Sequence, residues 1–111
     1  MGRKPGNGST VAGTSIQITL MVLIWTDASL SDLDRIHGHL APVNPQAAGR
    51  VVRSLAVAPQ RLIDFPKIGV QLKEFEPRQI HRIFVDDYEI RYEIAGDSIF
   101  VLRVWHAKED R

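Results

Sequence analysis

Apolar and polar residues alternate over three closing segments, Gln79 to Val85, Tyr88 to Ile94 and Ile99 to Trp105, separated by Asp86-Asp87 and by Gly96-Asp97. A period of two interrupted by short turn-forming pairs predicts three strands in an antiparallel meander. Ile90, Tyr92 and Ile94 alternate with Glu89, Arg91 and Glu93, so the middle strand is expected to bury one face and wet the other. Ile99 to Leu102 is apolar on both faces, which predicts a central strand with a neighbour on its far side. Val22 to Trp25, a short apolar run, is the available neighbour. The strand order that follows is first, last, third, second.

Between these strands the period changes. Leu30, Leu33, Ile36 and Leu40 recur at spacings of three and four behind Thr26-Asp27, a pair suited to capping a helix N-terminus. Asn44-Pro45 restarts a helix, because Asn caps well and proline at the first position loses no needed N–H. Ala47, Ala48, Val51, Val52 and Leu55 give this second helix an apolar face, and Pro59 weakens its end. A short connection makes the two helices an antiparallel hairpin. From Lys67 to Pro77 the chain is charged and irregular and reads as a loop. The fold class predicted is α+β: an N-terminal strand, an antiparallel helix hairpin, then a three-stranded antiparallel meander completing a four-stranded sheet.

Residues 1–20 read differently. Gly2, Gly6, Gly8 and Gly13 mix with Ser, Thr and Asn, which predicts a disordered extension ahead of one folded domain over residues 21–111. Ile16, Ile18 and Leu20 nevertheless alternate in strand fashion. Arg3 and Lys4 precede no apolar run of signal-peptide length, and no span reaches transmembrane length.

Composition narrows the chemistry. Fourteen Lys and Arg against thirteen Asp and Glu leave a net charge of +1, so any anion-binding role needs local clustering. Basic residues do cluster at the end of the last strand, in His106, Lys108 and Arg111. The absence of cysteine removes disulfides and thiolate metal sites and points to a reducing, cytoplasmic setting. His37 and His39 stand two apart and cannot share a helix face, so no metal site is expected. Arg103, within an apolar strand, is expected to pair with Glu89 or Glu93. Trp25 and Trp105 are read as packing residues and Asp86-Asp87 as turn chemistry.

Several segments together resemble one family. They are a Phe-Pro-x-x-Gly junction (Phe65 to Gly69), a Tyr-x-Ile-x-Tyr strand (Tyr88 to Tyr92) and the ending Ile-Phe-Val-Leu-Arg-Val-Trp-His (Ile99 to His106). In this order, after a strand and a helix hairpin, they resemble the ParE/RelE superfamily of type II toxins in its plasmid-stabilisation, ParE-like branch. The resemblance implies a bacterial toxin, without cofactor, held in a heteromeric complex by a ParD- or RelB-like antitoxin. It also implies one of two targets, DNA gyrase or ribosome-bound mRNA. An mRNA endoribonuclease would draw on Arg82 and His106 with an acid from Glu74 or Glu76; the chain ends without the tyrosine of RelE- and YoeB-like sites. A binder of gyrase or antitoxin would use Arg78, Arg91, Arg103, Trp105, Lys108 and Arg111. A third reading is a degenerate, non-toxic binding module.

Overall fold

The computed structural model describes residues 20–109. Apart from Leu20, the expected disordered extension lies outside the described residues, as does Arg111. The chain runs β1 (Val22–Trp25), α1 (Asp27–Leu40), α2 (Pro45–Val57), a 3-10 turn (Ala58–Ile63), β2 (Val70–Gln71), a second 3-10 turn (Lys73–Phe75), β3 (Gln79–Val85), β4 (Tyr88–Ala95) and β5 (Ser98–His106). The sheet order is β1-β5-β4-β3-β2, with β1 parallel to β5 and the other pairs antiparallel.

The expected order of four strands is present, and a fifth strand extends it. Val70 and Gln71, in the segment read as a loop, pair with Arg82 and His81 at the edge of β3. Two residues carry no periodicity, so sequence alone could not reveal this strand.

Capping fixes both helices. The Thr26 side chain accepts from the Ser29 N–H, and that of Asn44 accepts from the Ala47 N–H. Helices and strands then close on one core of Ile36, Leu55, Leu62, Ile83, Ile90, Tyr92, Ile99, Val101 and Val104. Along β3 and β4 the strand alternation puts His81, Ile83, Val85, Tyr88, Ile90 and Tyr92 on the helix-covered face. His106 faces the same way, opposite Tyr88.

Two of the resembling motifs meet in this core. The Tyr92 hydroxyl donates to the Pro66 carbonyl at 2.6 Å and accepts the Gly69 N–H at 3.1 Å. A Cβ on Gly69 would lie 2.6 Å from the Arg82 carbonyl oxygen and 2.7 Å from the Tyr92 hydroxyl, so that approach requires glycine. Burial raises the Tyr92 pKa, with the Gly69 N–H opposing it. Buried His81 stacks on the same ring and places Nδ1 3.1 Å from the Gly69 carbonyl.

The partner expected for Arg103 is different in the structure. Its guanidinium lies against Asp32 of α1, at 2.8 and 3.0 Å, and not against Glu89 or Glu93. Glu89, expected on a wet face, is buried and pairs with Arg91 at 3.2 Å. β1 ends opposite Val101, so the later half of β5 has α1 beside it in place of a strand. Asp32 accepts the Val104 N–H at 2.8 Å and Arg35 donates to the Val104 carbonyl at 3.1 Å. Glu109 continues the seal by accepting the His106 N–H and the Arg35 guanidinium, both at 2.7 Å. Helix side chains thus satisfy backbone groups that a neighbouring strand would otherwise pair.

Candidate functional site

The face of the sheet away from the helices is ordered in rows by strand register. The central row carries Val70, Arg82, Arg91 and Arg103, each opposite the next on the adjoining strand. To one side lie Phe84, Glu89 and Trp105; to the other lie Ile80, Glu93, Phe100 and Ile24. A two-residue turn at Asp86-Asp87, with Asp86 at φ 52°, sets Arg82 opposite Arg91. A bulge sets the next step: Tyr92 pairs with Val101 but Arg91 pairs with Arg103, leaving Leu102 as the extra residue. In regular register Leu102 would stand opposite Arg91 and Arg103 opposite Ile90, on the helix-covered face.

Like charges directly opposite one another disfavour a sheet. Aromatic faces and carboxylates offset the cost here. The Arg91 guanidinium lies 5.0 Å from the Trp105 ring and 5.5 Å from the Phe75 ring, and Arg103 lies 5.4 Å from Trp105. Glu89 compensates Arg91, and Asp32 compensates Arg103. Burial pushes the Asp32 carboxyl up, but Arg103, the Val104 N–H and Arg35 outweigh it and hold the group below its ordinary range. Arg82 differs. It sits over Phe84 at 5.3 Å, and its buried Nε has no hydrogen-bond partner among the described residues.

Of the residues singled out in the sequence, Arg82, Arg91, Arg103 and Trp105 are brought together on this face. Arg78 stands beyond the row and pairs with Glu93 at 2.7 Å, which lowers the Glu93 pKa. Glu74 and Glu76 flank Phe75, and Glu76 accepts a long 3.4 Å hydrogen bond from Gln71. His106 is not with Arg82: it lies two strands away, on the helix-covered face. There it meets the Tyr88 ring edge-on at 5.2 Å, and its Nδ1 accepts the Lys108 N–H. His106 and Lys108 line a cavity of about 410 Å³ with Arg35, His39, Tyr88 and Glu109.

Sequence reasoning missed Asp32 and His81, and it put Glu89 on a wet face and beside Arg103 in place of Arg91. Asp32 falls between the apolar positions of α1 and reads as a solvent-facing residue. The two-residue turn did carry a usable signal for the pairing of Arg82 with Arg91, because the two arginines are equidistant from it.

Comparisons place this architecture among known proteins. Toxin RelE2 of Caulobacter vibrioides (strain ATCC 19089 / CIP 103742 / CB 15) is 31% identical over 85 residues, covering 77% of this chain and 93% of that protein. Toxin RelE1 of the same organism is 33% identical over 95 residues, covering 85% of this chain and all of that protein. A solved structure titled "Chromosomal ParDE TA system from P. aeruginosa" shares the fold at a TM-score of 0.69 and 21% identity, covering 80% of this chain and 98% of that one. The profile of the family described as "ParE toxin of type II toxin-antitoxin system, parDE" matches residues 23–111. With its hairpin-covered sheet, its junction pinned to Tyr92 and its profile match across the described fold, the chain belongs to the ParE toxin family of type II toxin–antitoxin systems.

Proposed function

We propose that this toxin acts in the cytoplasm by binding its target, that the target is DNA gyrase, and that the arginine face contributes to the contact. One observation carries the preference for binding over RNA cleavage. On the sheet, His81, Tyr88, Tyr92 and His106 all alternate onto the helix-covered side, so the arginine face bears no imidazole or phenol among the described residues. In-line attack by a ribose hydroxyl needs a base and an acid as well as cations. The carboxylates on this face, Glu89 and Glu93, are held by Arg91 and Arg78. Cations set on aromatic surfaces suit recognition of an acidic protein patch instead.

The second reading is a ribosome-dependent mRNA endoribonuclease using Arg82 and His106 with Glu74 or Glu76. Its supporting observation is that Phe75 packs on Arg91, which draws the Glu74–Glu76 turn against the arginine face. Purified toxin in a gyrase supercoiling assay, beside primer extension on ribosome-bound transcripts, separates the two. Inhibited supercoiling with intact transcripts is expected; cleaved transcripts with active gyrase would replace the binding reading with the enzyme reading.

A further inference from the structure

The cavity of about 410 Å³ on the helix-covered side of the sheet, where the end of α1 meets the start of β4 and the end of β5, has no part in the arginine face. Its volume suits a small organic molecule better than a single inorganic ion. Three parts of the chain build it. Arg35, Ile36, His39 and Leu40 share one stripe of α1, since they recur at spacings of three and four. Tyr88 opens β4, and His106, Lys108 and Glu109 come from the end of β5 and the turn after it. Ile36 is buried and Leu40 and Tyr88 are half-buried, so the floor is apolar with one phenol ring in it.

The polar groups around this floor are donors. His106 Nδ1 accepts the Lys108 N–H at 3.1 Å, so the neutral ring carries its proton on Nε2 and that N–H remains to be given. Burial, then the charges of Glu109 and Asp87, raise the Tyr88 pKa, and a phenol kept neutral donates to an anion where a phenolate would repel it. His39 and Lys108 stand exposed at the rim with no ion pair among the described residues. The one carboxylate in the lining is already committed. Burial raises the Glu109 pKa, but the His106 N–H and Arg35, both at 2.7 Å, outweigh it and hold the group ionised and paired. Asp32, behind Arg35, is matched by Arg103. Arg35 and Lys108 against Glu109 therefore leave the lining with surplus positive charge before either imidazole is counted.

We propose that this cavity is a binding site for a small organic anion, a carboxylate or phosphate carried on a flat ring, with the ring against Ile36, Leu40 and Tyr88 and the oxyanion held by His39, His106 and Lys108. The site lies on the opposite side of the sheet from the arginine row and does not depend on which target the toxin attacks. Because its walls belong to α1 and to the end of β5, an occupied cavity ties the two together and stabilises the folded toxin.

Thermal unfolding of the full-length chain against rising phenyl phosphate and benzoate tests this, with inorganic phosphate as the anion without the ring and benzyl alcohol as the ring without the anion. A saturable rise in Tm is expected with at least one ring-bearing anion at concentrations up to about 10 mM, and neither control should match it. The larger of the two rises identifies the head group. Lys108→Glu sets a negative charge beside the anion and should weaken binding about tenfold or more, and His39→Ala should weaken it less. Phe84→Ser, on the other face of the sheet, should leave binding unchanged. The midpoint of each variant without ligand shows that the fold is intact. The absence of a saturable rise overturns the proposal, as does an equal rise with inorganic phosphate or with benzyl alcohol. So does a rise that Lys108→Glu and His39→Ala both leave unchanged, which assigns the anion to the arginine face.

Discussion

Two edges of the same sheet are left without a full neighbouring strand, and the protein treats them in opposite ways. Along the later half of β5, α1 supplies Asp32 and Arg35, and the chain end supplies Glu109, so that backbone groups are satisfied from side chains. Along the outer edge of β3 past Arg82, no strand pairs among the described residues, and the side chains of Phe84 and nearby Val57 are exposed. A closed edge contributes to stability and resists unwanted pairing, whereas an open apolar edge is a liability unless a partner covers it. The contrast separates residues that hold the fold from residues available to another chain.

The largest expected effect lies on the closed edge. Asp32→Ala removes the acceptor of the Val104 N–H and the counter-charge of Arg103 and Arg35 together. Losing one member of such a buried network costs about 2–4 kcal/mol, which urea unfolding will report as a lower midpoint. A change below about 0.5 kcal/mol, the range of an ordinary surface substitution, would show that α1 does not seal β5. Next in size is Gly69→Ala at the junction feeding the open edge. Its methyl has no room beside the Arg82 carbonyl, and overpacking of that kind costs about 1–3 kcal/mol. Tyr92→Phe keeps the ring and removes only the hydroxyl contacts with Pro66 and Gly69, so a smaller loss of about 1–1.5 kcal/mol is expected.

Acid should act on the closed edge as well. Burial raises the Asp32 and Glu109 carboxyls, but their hydrogen bonds and ion pairs outweigh it and leave both lowered in the folded protein. A depressed folded pKa contributes stability that is full above the unfolded value, about 4, and is lost as pH falls through the folded value. Unfolding midpoints should therefore drop on acidification below about pH 4, and Asp32→Asn should flatten that dependence. An unaltered acid limb in the variant would assign the acid sensitivity to other carboxylates. The smallest effect belongs to the open edge: Phe84→Ser should change stability by less than about 0.5 kcal/mol, measured by the same urea titration.

Local signals made most of the fold legible. Caps at Thr26 and Asn44, the spacing of Leu30, Leu33, Ile36 and Leu40, and the two-residue turns all act within a few residues. The strand order also followed, since an apolar β5 needs two neighbours. What escaped the sequence is long-range or too short to have a period. Arg103 meets Asp32 across 71 positions, and β2 has two residues. The candidate site was half legible: Arg82 and Arg91 are fixed by one turn, but Arg103 joins them through a bulge at Leu102 that composition does not mark. His106, near the chain end in a basic cluster, invites a place beside Arg82, yet strand alternation puts it on the other face.

Hydrogen exchange of the backbone amides, read residue by residue in the free toxin, tests the contrast between the edges most directly. The Val104 amide, donated to Asp32, should be protected in the folded toxin, while the Phe84 amide, on the edge of β3 that no strand covers, should exchange fast. A Val104 amide that exchanges freely in the folded toxin, or a Phe84 amide as protected as that of Val104, would contradict the account.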